Sequence, residues 1–205
     1  MRWIRPRDRR TAQGLAVVGG YLFPAGVRHR FSVTHDNLDT AAIALVEDAA
    51  RQWFRLAARH PRAKMSMPSV VVDDLWRELV RDTRGYAELC EAAFRRPLPR
   101  PPEPGADRPA RLATTFRLAQ EDESCPPDGL PLLFRIDREL GVVDGGRYLA
   151  DCGGRADCHE LPGATCLTHV AGIESDGRWP GRLRDMFRPP DAGTGGDPGG
   201  GAFGA

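Results

Sequence analysis

From Met67 to Phe94 the sequence runs MPSVVVDDLWRELVRDTRGYAELCEAAF, and its apolar residues return at helical steps. Val72, Leu75, Trp76, Leu79, Thr83, Tyr86, Cys90 and Phe94 form one stripe, the three- and four-residue spacing that buries one face of an α-helix. Ser69, after Pro68, suits the N-cap, because its side-chain oxygen can accept from the free N–H groups of the first turn. Asp73 and Asp74 follow in that turn, where the helix dipole favours negative charge. The spacing therefore predicts one long amphipathic helix, ended by Pro97.

Similar patterns lie on both sides. Pro24 opens a short helix carrying Val27 and Phe31, and Asp36 or Asp39 can cap a longer one. In that second helix Ala42, Leu45, Val46, Ala49, Trp53, Leu56 and Ala57 recur at helical spacing, up to a stop at His60 and Pro61. Prolines at 97, 99, 101, 102 and 104 make an extended linker. Beyond it, a helix from about Asp107 has Pro109 in its first turn and Leu112, Ala113, Phe116 and Ala119 on one face. Pro131 opens a last short helix with Leu132, Leu133, Ile136 and Leu140, stopped by Gly141. The expected fold class is all-α, a small helical bundle with an irregular Cys/Gly-rich C-terminal loop region and disordered ends. Trp53, Trp76, Tyr86, Phe116 and Phe134 are its expected core aromatics.

Composition sets the limits around this bundle. The 205 residues suffice for one domain with a sizeable core. Gly and Pro together make up about a fifth of the chain, so much of it is turns and connections. Residues 1–20 read as a flexible basic arm, 21–149 as the helical domain with its Pro-rich linker at 97–104, 150–185 as a Cys/His-containing loop region and 186–205 as a disordered Gly-rich tail. The longest weakly polar stretch, Leu15–Phe23, is broken by Gly19 and Gly20 and too short for a membrane span. Arg2, Arg5 and Arg7 before it resemble the start of a signal peptide, but no cleavage pattern follows. An odd count of five cysteines fits a reducing, cytoplasmic setting. Net charge is +1, so the chain as a whole is no polycation.

The Met67–Phe94 run resembles the helical core of the bacterial glycine-rich domain-containing protein family, in which Val-Asp-x-x-Trp-His precedes Thr-x-x-Tyr and a Phe-Cys pair. Val72, Asp73, Trp76, Thr83, Tyr86 and Cys90 match residue by residue. VEDAARQWFRLAARHP from Val46, LPLLFRIDRELG from Leu130 and RYLADCGGRADC from Arg147 extend the resemblance over most of residues 20–172. The resemblance implies no particular activity. Where the family has histidines, this chain has Arg77 and, after the helix, Pro99 and Arg100. Any imidazole site built there is therefore expected to be missing.

Among chemistry-bearing residues, Cys152, Cys158, Cys166 and His169 stand out, since thiolate and imidazole suit zinc and Cys166-x-x-His169 lets one turn present two ligands. The five residues between Cys152 and Cys158 are wider than usual for a structural zinc site. Free thiols in a packed loop and a disulfide are the other readings of the group. His159-Glu160 cannot begin a zincin helix, because Pro162 and Gly163 follow. Ser175 has no nucleophile elbow around it, and Lys64 has no phosphate-cradling glycine loop before it. Cys90 lies on an apolar stripe, where a thiol behaves as a small hydrophobe.

Arg2, Arg5, Arg7, Arg9, Arg10 and Trp3 could meet nucleic-acid phosphates and a base, yet no recognition module follows them, and a solvated tail accounts for them. Of the 29 cationic residues only Lys64 is lysine, a usage that fits GC-rich coding and is no sign of phosphate chemistry. Asp73, Trp76 and Tyr86 read first as a capping or pairing carboxylate and two core aromatics. The expected function is that of a non-catalytic cytoplasmic binding protein with an unidentified protein partner and no membrane. The alternative is a metal-dependent or thiol enzyme using the late Cys/His group, with zinc as its cofactor.

Overall fold

A computed structural model of the chain describes residues 6–99, 107–151 and 163–170, with side chains from residue 9 onward. All of them fall in the first of two units, Met1–Gly172. The fold is all-α. Its elements run α1 (Pro6–Gly19), α2 (Ala25–Thr34), α3 (Thr40–Arg59), α4 (Val70–Arg81), α5 (Thr83–Phe94), α6 (Arg108–Glu123), α7 (Leu132–Glu139), β1 (Tyr148–Leu149), β2 (Thr165–Cys166) and α8 (Leu167–Val170).

Local chemistry accounts for most of these boundaries. Asp39 caps α3 by accepting from Ala42 N at 2.7 Å, and Ser69 caps α4 by accepting from Val72 N at 3.2 Å. Pro109 sits in the first turn of α6, where its missing N–H costs nothing, and Gly141 at φ 63° lets the chain leave α7.

Three expectations change. The long helix predicted from Ser69 to Pro97 is two helices. The chain breaks at Asp82, whose N–H donates to Leu79 O at 3.0 Å and whose carboxylate accepts from Gly85 N at 3.3 Å. A residue that both ends one helix and caps the next lets the stripe turn a corner.

Residues 6–19 are no flexible arm but the helix α1, with Val18 in the core. Gly14 makes this docking possible, since a Cβ there would lie 2.4 Å from Ala93 O and force α1 off α5. That Cβ position is also 3.8 Å from Ala58, while Tyr21 O, just past α1, accepts from Arg51 Nε at 3.0 Å. Residue 14 beside 58 and residue 21 beside 51 mean that α1 runs antiparallel to α3.

The third change concerns the late loop, part of which is structured. β1 and β2 pair in parallel, with Tyr148 opposite Thr165 and Leu149 opposite Cys166. Cys166 and Leu167 are buried, and Thr168 Oγ1 donates to Ala150 O at 2.9 Å. The rest of 150–185, the linker segment 100–106 and the tail 186–205 lie outside the described residues.

α3 is the central helix, packed against α1, α4, α5, α6 and α7. Its Trp53 and Phe54 meet Trp76 at centroid separations of 5.8 and 6.0 Å, and Phe54 also meets Phe94. A second aromatic group joins Phe116, Phe134 and Tyr148 at 5.2 Å steps. Trp53, Trp76 and Phe134 are buried as expected, whereas Phe116 and Tyr86 are only half-buried.

Candidate functional site

Buried Glu47 and Glu78 lie within α3 and α4 and pair with arginines, while other polar side chains inside the bundle serve the starts of helices. Pro131 precedes α7 and offers no side-chain cap, so the first N–H groups of that helix need acceptors from elsewhere. Gln52 of α3 accepts from Leu133 N at 3.0 Å, and Glu123 of α6 accepts from Leu132 N at 2.7 Å. Gln52 Nε2 donates to the same Glu123 carboxylate at 3.1 Å, tying three helices at one point. Nearby, Asp122 accepts from Arg55 at 2.7 Å and also takes Arg59. The Thr115 hydroxyl accepts from Ser66 N at 3.0 Å and fixes the segment leading into α4.

Asp137 of α7 is a carboxylate enclosed to 2 % exposure. Its Oδ1 accepts from Ser69 Oγ at 2.6 Å and Val71 N at 3.3 Å, and its Oδ2 from Val70 N at 2.8 Å and Gly146 N at 2.7 Å. A buried carboxylate survives only with such donors, and the positive N-terminal end of α4 adds to them. All four lone-pair directions are taken. Tyr148 completes the joint by donating to Pro68 O at 2.8 Å. Burial pushes its phenol up to about 12, opposed by Arg108.

The motif residues on α4 and α5 are engaged in a comparable way. Trp76 Nε1 donates to Tyr86 Oη at 3.0 Å, and Tyr86 Oη donates to Leu98 O at 2.5 Å, anchoring the chain as it leaves α5. Burial is the main cause pushing the Tyr86 phenol well above its ordinary value. Cys90 is buried on the same face. Arg77, standing where the resembling family has histidine, donates to Asp73 at 3.0 Å and Asp74 at 2.8 Å. Asp74 also lies 3.4 Å from His35 at the end of α2. Burial raises the Asp74 pKa above the ordinary carboxyl value, against the pull of Arg77 and His35.

Of the sequence-derived zinc set, Cys166 is buried in β2 and His169 is exposed on α8, while Cys152 and Cys158 lie outside the described residues. No cluster of three His, Cys, Asp or Glu side chains suited to a metal occurs among the described residues. Sequence reading missed Asp137, Gln52 and Thr115. Their signal was a polar residue on an otherwise apolar stripe, as in Leu133-Phe134-Arg135-Ile136-Asp137.

No curated protein and no solved structure matches the chain. A family model does, over residues 13–170, from within α1 to the end of α8. That span holds the Asp137 joint, the Trp76–Tyr86 pair and the β1–β2 pairing, and it covers most of the chain, which therefore belongs to the UCP032817-like family.

Proposed function

We propose that this protein works by binding another macromolecule and carries out no chemistry of its own. The observation behind this reading is the use made of the motif residues: Trp76, Tyr86 and the Asp137–Ser69 pair bond helix to helix or helix to chain end. Such groups build a scaffold whose outer surface is left for recognition. The motif on α4 and α5 also supports kinship with the glycine-rich domain-containing proteins. A cytoplasmic setting is supported by Cys90 and Cys125, which form no disulfide. Burial raises the Cys125 pKa, which keeps that thiol protonated. Affinity purification of the tagged full-length chain from its own cells should yield a stoichiometric macromolecular partner. Recovery of a bare chain that turns over a small molecule would contradict the proposal.

A second reading, zinc held by Cys152, Cys158, Cys166 and His169, has one specific observation in its favour. The β1–β2 pairing sets Leu149 opposite Cys166, and the Thr168–Ala150 bond holds Ala150, two residues before Cys152 in the sequence, against the turn that carries Cys166 and His169. Thiolate and imidazole ligands would close a structural site, whereas an open position next to Asp151, Asp157 or Glu160 would make a catalytic one. Purified protein should then hold one equivalent of zinc, with less in Cys166→Ser. Metal-free protein after mild purification would end this reading.

A further inference from the structure

The antiparallel docking of α1 on α3 gathers charge that the sequence leaves scattered. Gly14 lies level with Ala58 near the end of α3 and with Ala93 near the end of α5. Arg10 and Arg9 precede Gly14 by about 6 to 7.5 Å of helix, so they reach the end of the bundle where α3 and α5 stop. Arg59 and Arg62 stand at that end of α3, Lys64 follows, and Arg95 and Arg96 close α5. Arg96 donates to Pro61 O at 3.2 Å and so fixes the two basic segments side by side.

Over residues 9–14, 58–66 and 91–98 the only carboxylate is Glu91. Arg59 is occupied by Asp122. Arg9, Arg62, Lys64 and Arg95 are exposed, with no carboxylate in ion-pair distance among the described residues. Helix dipoles account for little of this. Two C-terminal ends contribute about −0.5 charge each and the start of α1 returns about +0.5, while the cations outnumber the carboxylates by several charges. In a chain of net charge +1 this is segregation and not average basicity.

We propose that this basic pole docks duplex nucleic acid through its phosphate backbone. The large exposed apolar side chains among the described residues, Leu22, Val33, Val70, Val80 and Val143, lie on none of the pole's segments. A membrane-binding face would combine cations with such anchors. Single strands are held by stacking on exposed aromatic rings, and among the described residues the rings in these segments are Phe94, packed inward on Phe54, and the half-buried imidazole of His60. A duplex backbone needs only cations placed at a rigid surface, without a base-reading module. The inference rests on the binding reading above and names its partner class.

The test uses the full-length chain with a short mixed-sequence DNA duplex, read by fluorescence anisotropy over a salt series. Arg62→Gln, Lys64→Gln and Arg95→Gln combined should weaken binding about tenfold or more and make the salt slope shallower by about 3. A charge-matched control, Arg81→Gln with Arg84→Gln and Arg117→Gln, removes three exposed arginines elsewhere and should leave both nearly unchanged. Equal loss in the two triples, absence of duplex binding, or a pole-dependent affinity for phosphatidylserine vesicles in place of duplex would overturn the proposal. Failure here alongside a stoichiometric protein partner would leave the binding reading standing and remove only its nucleic-acid form.

Discussion

Around Asp137 a carboxylate with 2 % exposure takes hydrogen bonds from Ser69, Val70, Val71 and Gly146, whereas at the far end of α3 and α5 Arg62, Lys64 and Arg95 stand in solvent without an ion pair among the described residues. The contrast follows from dielectric. Inside, an unpaired charge costs several kcal/mol, so the buried Asp137 carboxylate is met by donors, whereas the neutral Trp53 Nε1 and Tyr21 Oη are buried without a partner. Outside, water screens the charges and their close spacing costs little, which leaves them available to a ligand. Interior polar groups are therefore read here as joints, and the unpaired exterior ones as the binding surface.

The largest effects are expected in the interior. Trp76→Ala empties the space between α3 and α4 and gives up the bond to Tyr86, with an expected loss of about 3 to 5 kcal/mol. Asp137→Ala strands the Ser69 hydroxyl and three N–H groups, for an expected loss of about 2 to 4 kcal/mol. Urea denaturation measures both, and unchanged midpoints would break the interior half of the comparison. Gly14→Val should cost about 1 to 3 kcal/mol, because the new side chain meets Ala93 O. It should also weaken duplex binding by displacing Arg9 and Arg10. Wild-type stability in that variant would show α1 undocked.

Alkaline titration sharpens the interior side further. The chain has three tyrosines, Tyr21, Tyr86 and Tyr148, and burial raises all three above the ordinary value of 10.0, Tyr21 and Tyr148 to about 12. Folding is thus favoured by their protonated forms. Their contribution is complete below the unfolded value and is lost as pH rises from about 10 towards 12. Absorbance at the phenolate band should stay flat through pH 10 and rise together with loss of helical circular dichroism. A full three-tyrosine transition near pH 10 in folded protein would contradict their burial.

The smallest stability effect is expected at the pole. Arg62→Gln, Lys64→Gln and Arg95→Gln touch no buried group, and together they should shift unfolding by less than about 0.5 kcal/mol.

The helices were legible from their apolar spacing and caps because those signals are local. Ser69, Asp39, Pro109 and Gly141 each act within a turn of their own position. The break at Asp82 was harder to see, since Leu79, Thr83 and Tyr86 keep helical spacing across it and the turn depends on one carboxylate bonding three residues on. α1 escaped recognition for a tertiary reason: its arginines hide a weak stripe, and only Gly14 against Ala93 and Val18 in the core reveal that it docks. Asp137 and the pole were illegible because each is assembled from distant segments, Ser69 with Asp137 and Arg62 with Arg95. The zinc set was read from residue type and closeness in sequence, and the described residues include only Cys166 and His169 of it.

Asp137→Asn and the Arg62, Lys64 and Arg95 triple variant, each carried through urea unfolding and duplex-binding titration in one buffer below their melting temperatures, test the separation of joints from binding surface most directly. The account predicts opposite responses: Asp137→Asn lowers the unfolding midpoint and retains duplex affinity, and the triple keeps the midpoint and loses affinity. A destabilised triple, or an Asp137→Asn protein that is fully stable yet no longer binds, would contradict it.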